Sequence, residues 1–310
     1  MAKMNMAHLY GRVVKPPTIK YTKEGEEPAY GILYLETVRS LRPVDDGVNY
    51  TKHDLILILS REKEILDQYA EFRKNTIVYV KGVITSRGAK KTSYCPHCED
   101  ENGEKYRNLR DGNLIYITPI FVRKIEEYGE EMEQEAREDV IRNQEISNQA
   151  YMYCTALTEP KRIRTKKGID ITQYRAAINR KFTIRTDDIE RRTDYPNVKS
   201  YGEQALDDSI FVCKGTTVLI DGFLQGRKVT RNVKCDRCGQ FYSYVDYSME
   251  IIPYDTEYLA NFKTRSQVEE ENQMRIEELK QKLFDEARRP ESPSSESEEE
   301  NLEAEDDNQE

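Results

Sequence analysis

Apolar positions along this chain come in short alternating runs, most of them β-branched or aromatic, and polar turn residues close each run. The alternation predicts strands at residues 8–14, 30–37 and 54–59. Ile65, Leu66, Tyr69 and Phe72 then fall at helical spacing, and "TIVYVKGVI" and "LIYITPIFV" predict two more strands. The same order returns further on. Strands are predicted at 151–157, 171–180 and 194–199, and Ser200 and Glu203 form a capping-box pattern before Ala205, Leu206 and Ile210. "TTVLIDGFL" and "YSMEIIP" complete the second set.

The two sets are copies. At an offset of 143, Ala7, Tyr10, Pro17, Thr22, Lys23 and Gly25 match Ala150, Tyr153, Pro160, Thr165, Lys166 and Gly168. At an offset of 140, Asp54, Leu66, Thr76, Val78, Gly82, Arg87, Cys95 and Cys98 match Asp194, Leu206, Thr216, Val218, Gly222, Arg227, Cys235 and Cys238. Three strands, a helix and two strands is the order of an OB-fold barrel. The expected fold is therefore mainly β, with two tandem OB-fold barrels, each with one helix. The expected domains are a first barrel at 1–125, an acidic, mostly solvated helical linker at 126–149 and a second barrel at 150–255. A C-terminal helix at 256–290 and an acidic disordered tail at 291–310 follow. In that helix Ile276, Leu279 and Leu283 sit at heptad-like spacing, a run too short for a coiled coil and better suited to packing.

Charge changes the picture less than its total suggests. The net charge is −9, yet residues 291–310 hold ten acidic and no basic residues, leaving 48 basic and 47 acidic over 1–290. The acidic balance belongs to the tail and does not exclude an anionic partner for the body. No apolar run is long enough to span a membrane and no export signal is evident, so a cytoplasmic protein is expected. Its six cysteines are then unlike a disulfide framework. Cys154 and Cys213, in apolar surroundings, are expected to fill core space.

"ITQYRAAINRKF" (171–182), "RTDYPNVKSYGEQA" (192–205) and "CKGTTVLIDGFLQGRK" (213–228) resemble the bacterial single-stranded DNA-binding protein family in order and spacing. The resemblance covers about one OB module in the second copy and, more weakly, the first. It implies a protein that coats single-stranded DNA in replication, recombination or repair, without catalysis. Such proteins stack bases on aromatic rings and track phosphates with basic residues. The family's stacking positions map to Phe182, Tyr195 and Tyr201, with a fourth on Val229, which cannot stack. In the first copy they fall on Arg39, Leu55, Arg61 and Ala89, so its platform is nearly lost. Tyr34, Tyr94, Phe241 and Tyr242 are candidates by proximity only.

Arg39, Arg61, Arg180 and Arg227 are candidate phosphate contacts, as are Arg164, Lys166 and Lys167 in a basic hairpin with Lys161 and Arg162. The family generally assembles four barrels, so two per chain would imply a homodimer. Its acidic tails end in a hydrophobic tip that recruits replication and repair enzymes. This chain ends "EAEDDNQE", so tip-dependent recruitment is not expected.

The two Cys-x-x-Cys pairs are half-sites. Zinc takes four thiolate or imidazole ligands in a tetrahedron. His97 lies inside its own pair and the second copy has no histidine. The expectation is one structural zinc per chain, shared by Cys95, Cys98, Cys235 and Cys238. A thioredoxin-like redox pair would open a helix within a βαβ unit, which these do not. No Walker loop, His-Glu-x-x-His or Gly-x-Ser-x-Gly is present, which argues against an enzyme. RNA binding, or a protein-interaction scaffold of tandem OB folds with a structural zinc, is the alternative reading.

Overall fold

In the computed structural model, residues 3–22, 27–40, 51–185 and 192–287 are described. The first copy contains β1 (Asn5–Val13), β2 (Thr18–Tyr21), β3 (Pro28–Ser40), β4 (Thr51–Ser60), α1 (Lys63–Glu71), β5 (Thr76–Glu99) and β6 (Lys105–Glu127). Then come α2 (Glu133–Arg142) and α3 (Gln144–Ser147). The second copy contains β7 (Asn148–Ala156), β8 (Lys161–Arg164), β9 (Asp170–Asn179), β10 (Thr193–Asp194) and β11 (Asn197–Tyr201). It continues with α4 (Gly202–Phe211), β12 (Thr217–Lys234) and β13 (Phe241–Ala260). A second compact unit, from Thr264, carries α5 (Arg265–Ala287).

Pairing closes each copy into a barrel. β1 pairs with β3 and β5, β3 with β4, β4 runs parallel to β6, and β6 returns to β5. β7, β9, β11, β13 and β12 close in the same way, with β11 parallel to β13. One parallel contact among antiparallel ones is the five-stranded OB topology. Alternate residues point inward, so Leu9, Leu33, Leu35, Ile56, Ile58, Val80 and Ile117 are fully buried in the first barrel. Ala176, Ile178, Val198, Val218, Ile220 and Ile251 do the same in the second.

The barrels share an edge. β1 pairs antiparallel with β7, with Ala7 opposite Ala150, so β6-β5-β1-β7-β12-β13 form one continuous sheet. Beside this seam, Asn5 donates to the Ile84 carbonyl at 2.9 Å and accepts from the Ile84 N–H at 2.8 Å. Asn148 repeats both bonds on Leu224, at 2.8 and 3.0 Å.

Several expectations change in detail. The first Cys pair lies within β5 rather than in a loop, and the second lies in the turn between β12 and β13, because β5–β6 and β12–β13 run on past their barrels as two long hairpin arms. The segment after the first barrel is not a solvated linker. Ala136 and Val140 of α2 are buried against Tyr10, Val38 and Ile77, which gives that helix a barrel face to cover. The capping box does not form, since Ser200 belongs to β11 and bonds the Thr172 carbonyl, leaving Tyr201 as the N-cap of α4. Cys154 is in the core as expected. Cys213 is only half-buried, in a turn with its Sγ 3.2 Å from the Asn261 carbonyl. β13 continues to Ala260, so the C-terminal helix starts at Arg265. Its Met274, Ile276, Leu279 and Leu283 are exposed. The acidic tail, 291–310, lies outside the described residues.

Candidate nucleic-acid interface and metal centre

The outer face of the second barrel carries the aromatic candidates. In β11, Val198 and Ser200 point into the barrel, which leaves Asn197, Lys199 and Tyr201 outside. β9 lies alongside, with Arg175 opposite Asn197 and Gln173 opposite Lys199. Tyr195 precedes β11 and is half-buried, with the Arg175 guanidinium 5.6 Å from its ring centroid. The Tyr201 ring has the Lys199 ammonium 5.9 Å from its centroid, and its hydroxyl meets Gln225 at 3.4 Å. Partial burial raises the Tyr201 hydroxyl pKa, with Glu250 adding to the effect and Arg227 opposing it. The alternation thus brings Tyr195 and Tyr201 onto one face with Arg175 and Lys199 between them. Phe182 lies three residues beyond β9, half-buried, with Lys181 Nζ 5.8 Å from its ring. The strand register that joins the two tyrosines does not include it.

The basic hairpin borders this face, because Lys161 of β8 sits opposite Gln173. Arg164, Lys166 and Lys167 are exposed around a turn that Gly168 makes at φ +80°. Residues with a Cβ rarely adopt that conformation.

The arginine candidates divide. Arg39 and Arg180, expected to meet phosphate, are both paired internally. Arg39 Nε is 2.6 Å from Asp54 Oδ2, and its guanidinium lies 4.2 Å from the Phe223 ring centroid. Arg180 Nε is 2.5 Å from Asp194 Oδ2. Both arginines are buried, so each positive charge is committed to an internal carboxylate and has little surface to offer a phosphate. Arg227 is half-exposed and pairs with Glu250 at 3.1 Å. Arg61 lies over the Tyr30 ring at 5.2 Å. On the first barrel Leu55 takes the place of Tyr195. The Leu55 carbonyl and the Tyr247 hydroxyl occupy the space that a side chain on Gly226 would need.

The two arms meet along their length. Lys91 Nζ donates to Asp246 at 2.5 Å, Ser93 Oγ and the Tyr242 hydroxyl are 2.7 Å apart, and Asn108 donates to that hydroxyl at 3.2 Å. Between the arms runs a groove of about 510 Å³, lined by Lys91, Arg110, Asn113, Arg231 and Tyr244 and reaching Asn197 on the barrel face.

At the arm tips the structure brings the four paired cysteines together. Cys95 Sγ is 3.7 Å from Cys238 Sγ, Cys98 Sγ is 3.6 Å from Cys235 Sγ, and all four lie within 4.8 Å of one another. Thiolates at zinc–sulfur distance on a tetrahedron stand roughly 3.8 Å apart. The donor set therefore suits a metal ion. Val233, Tyr242, Tyr106 and Tyr244 pack around it. Burial opposes ionisation of Cys235, but the backbone N–H groups of Cys238 and Arg237, with the thiols of Cys95 and Cys238, outweigh it and bring the pKa down to about 7. Burial and the neighbouring thiols push Cys98 up to about 12. One readily ionised thiol, Cys235, beside the reluctant Cys95 and Cys98 is a site that a cation would complete.

Arg175, Lys199, Asn113 and Ser86 were not singled out by sequence. Arg175 and Lys199 could have been, since both fall on the outward parity of their strands.

Residues 147–240 match the model of the Single-strand binding protein family. A deletion mutant of the single-stranded DNA binding protein from Thermus aquaticus is similar over 84% of this chain and 98% of its own, at 17% identity and a TM-score of 0.51. The wild-type protein from the same organism is similar over 85% and 97%, at 16% identity and a TM-score of 0.50. No curated protein sequence matches the chain. At such identities the structural likeness speaks to the fold, and it extends over both barrels. Residues 147–240 thus resemble the single-strand binding protein family, on an OB barrel that this chain contains twice.

Proposed function

We propose that this protein binds single-stranded DNA without strong sequence preference, in replication, recombination or repair. The observation that carries the reading is the outer face of the second barrel, where Tyr195 and Tyr201 alternate with Lys199 and adjoin Arg175. Aromatic rings accept any base and basic neighbours accept the phosphates. The exposed Arg164, Lys166 and Lys167 extend the positive surface, and the groove between the arms continues it. The matched family and the names of the Thermus proteins support DNA as the ligand. Titration with oligo-dT, oligo-U and duplex DNA tests this, and preference for the duplex would refute it.

The cysteine group is read as one structural zinc per chain, which ties the arms and does no chemistry. Reduced thiols suit the cytoplasm, where we place the protein. We also read the protein as a homodimer of four barrels. Its contact would be the six-stranded face on which His8, Tyr79, Phe121 and Tyr151 cluster, with ring centroids 6.1–6.4 Å apart. Sedimentation of the wild type against Phe121→Arg checks that contact.

A further inference from the structure

Tyr195 sits where its own barrel gives it no ladder. β10 ends at Asp194, opposite Ile178, and β11 begins at Asn197, opposite Arg175. Its backbone polar groups still require partners. The first barrel's arm supplies both. The Tyr195 N–H donates to Ser86 Oγ at 2.7 Å, and Asn113 Nδ2 donates to the Tyr195 carbonyl at 3.1 Å. Ser86 is in turn fixed by its own N–H, which donates to Asp194 Oδ1 at 2.7 Å. Ser86 and Asn113 lie on paired strands, opposite Ile115 and Gly88 at the base of the arm. The matching position on the first barrel differs. Leu55 lies inside the continuous strand β4, opposite Glu36, and needs no such clamp.

Resting on the single-strand reading above, we infer that Ser86 and Asn113 of the first barrel are positioning residues for Tyr195 of the second. A stacking ring takes its direction from the backbone that bears it. A backbone held at both N–H and C=O presents the ring already aimed, so less ordering entropy is lost when a base arrives. The first barrel, with Leu55 in place of an aromatic, serves binding by aiming its neighbour's platform.

The test is a double-mutant cycle on the full chain. Affinity for oligo-dT is measured for wild type, Asn113→Ala, Tyr195→Ala and the double variant, with thermal midpoints alongside. Asn113→Ala should weaken binding about 5-fold, the scale of one hydrogen bond, and cost nothing further once Tyr195 is alanine. The same loss in both backgrounds would overturn the inference and make Asn113 a direct contact of the strand. Ring relaxation of Tyr195 by NMR in the DNA-free protein gives a second readout. Asn113→Ala and Ser86→Ala should each increase ring mobility, and an unchanged ring would also overturn the inference. If Tyr195→Ala binds as tightly as wild type, the proposed platform falls, and ring relaxation alone then decides the positioning.

Discussion

Ala7 lies directly opposite Ala150 across the β1–β7 seam, and the two are equivalent residues of the repeat. An antiparallel pair in which a residue meets its own counterpart marks a local two-fold axis. Here the axis runs inside one chain. Asn5 and Asn148, beside the seam, make the same pair of bonds to Ile84 and Leu224.

That symmetry predicts matched costs. Asn5→Leu strands the buried N–H and C=O of Ile84, and Asn148→Leu does so for Leu224. Each should destabilise by roughly 2–4 kcal/mol in urea unfolding. Asn148 also donates to Thr37 Oγ1 at 3.2 Å, so its loss should be the larger. A cost below about 1 kcal/mol at both positions would show that these bonds do not hold the seam.

The platform predicts an asymmetry. Stacking on an aromatic side chain contributes about 1–3 kcal/mol per base, so Tyr195→Ala should weaken oligo-dT binding by about 5-fold or more at moderate salt. Leu55→Ala, at the equivalent position of the first barrel, should leave affinity nearly unchanged and lower the unfolding midpoint instead. Fluorescence titration of both variants measures the contrast, and equal losses would contradict it.

The thiolate group predicts a stoichiometry. Protein purified without chelator should carry one zinc per chain, and Cys95→Ser and Cys235→Ser should each abolish it rather than halve it. Two ions per chain would refute a shared site. Chelation should loosen the arm tips and leave the barrels folded, which hydrogen exchange at Val233 and Tyr242 can follow.

The buried arginines predict a separation of stability from binding. Arg180→Met leaves the Asp194 carboxylate without its buried partner and should cost about 3–5 kcal/mol. Affinity of the folded fraction for oligo-dT, extrapolated from titrations below the unfolding midpoint, should change less than for Lys199→Ala. A larger loss for Arg180→Met would return Arg180 to the interface.

Much of this was legible in the sequence because it is written in period two and in spacing. Alternation located the barrel strands, and duplicated Cys-x-x-Cys pairs foretold a shared group. What could not be read is what depends on chain crossing chain. Arg39 and Arg180 look like free cations until Asp54 and Asp194 are brought beside them by pairing with β3 and β9. Asn113 carries no signal of its own, since its role exists only because an arm of one barrel reaches Tyr195 on the other. The arms themselves read as loops because their residues are polar on both faces, and a two-stranded ribbon outside a barrel has little core to advertise it.

Fusing two barrels into one chain has a consequence for how such a protein can change. In a symmetric dimer of single barrels, every substitution is made twice, so no site can be improved without altering its twin. Here a substitution is made once. Position 86 is serine, and its counterpart is Gly226, where the Leu55 carbonyl would lie 2.1 Å from any Cβ. A serine in both places would clash on one side, and a glycine in both would remove the hydroxyl that accepts from the Tyr195 N–H on the other. Only a covalently joined pair can hold both answers at once.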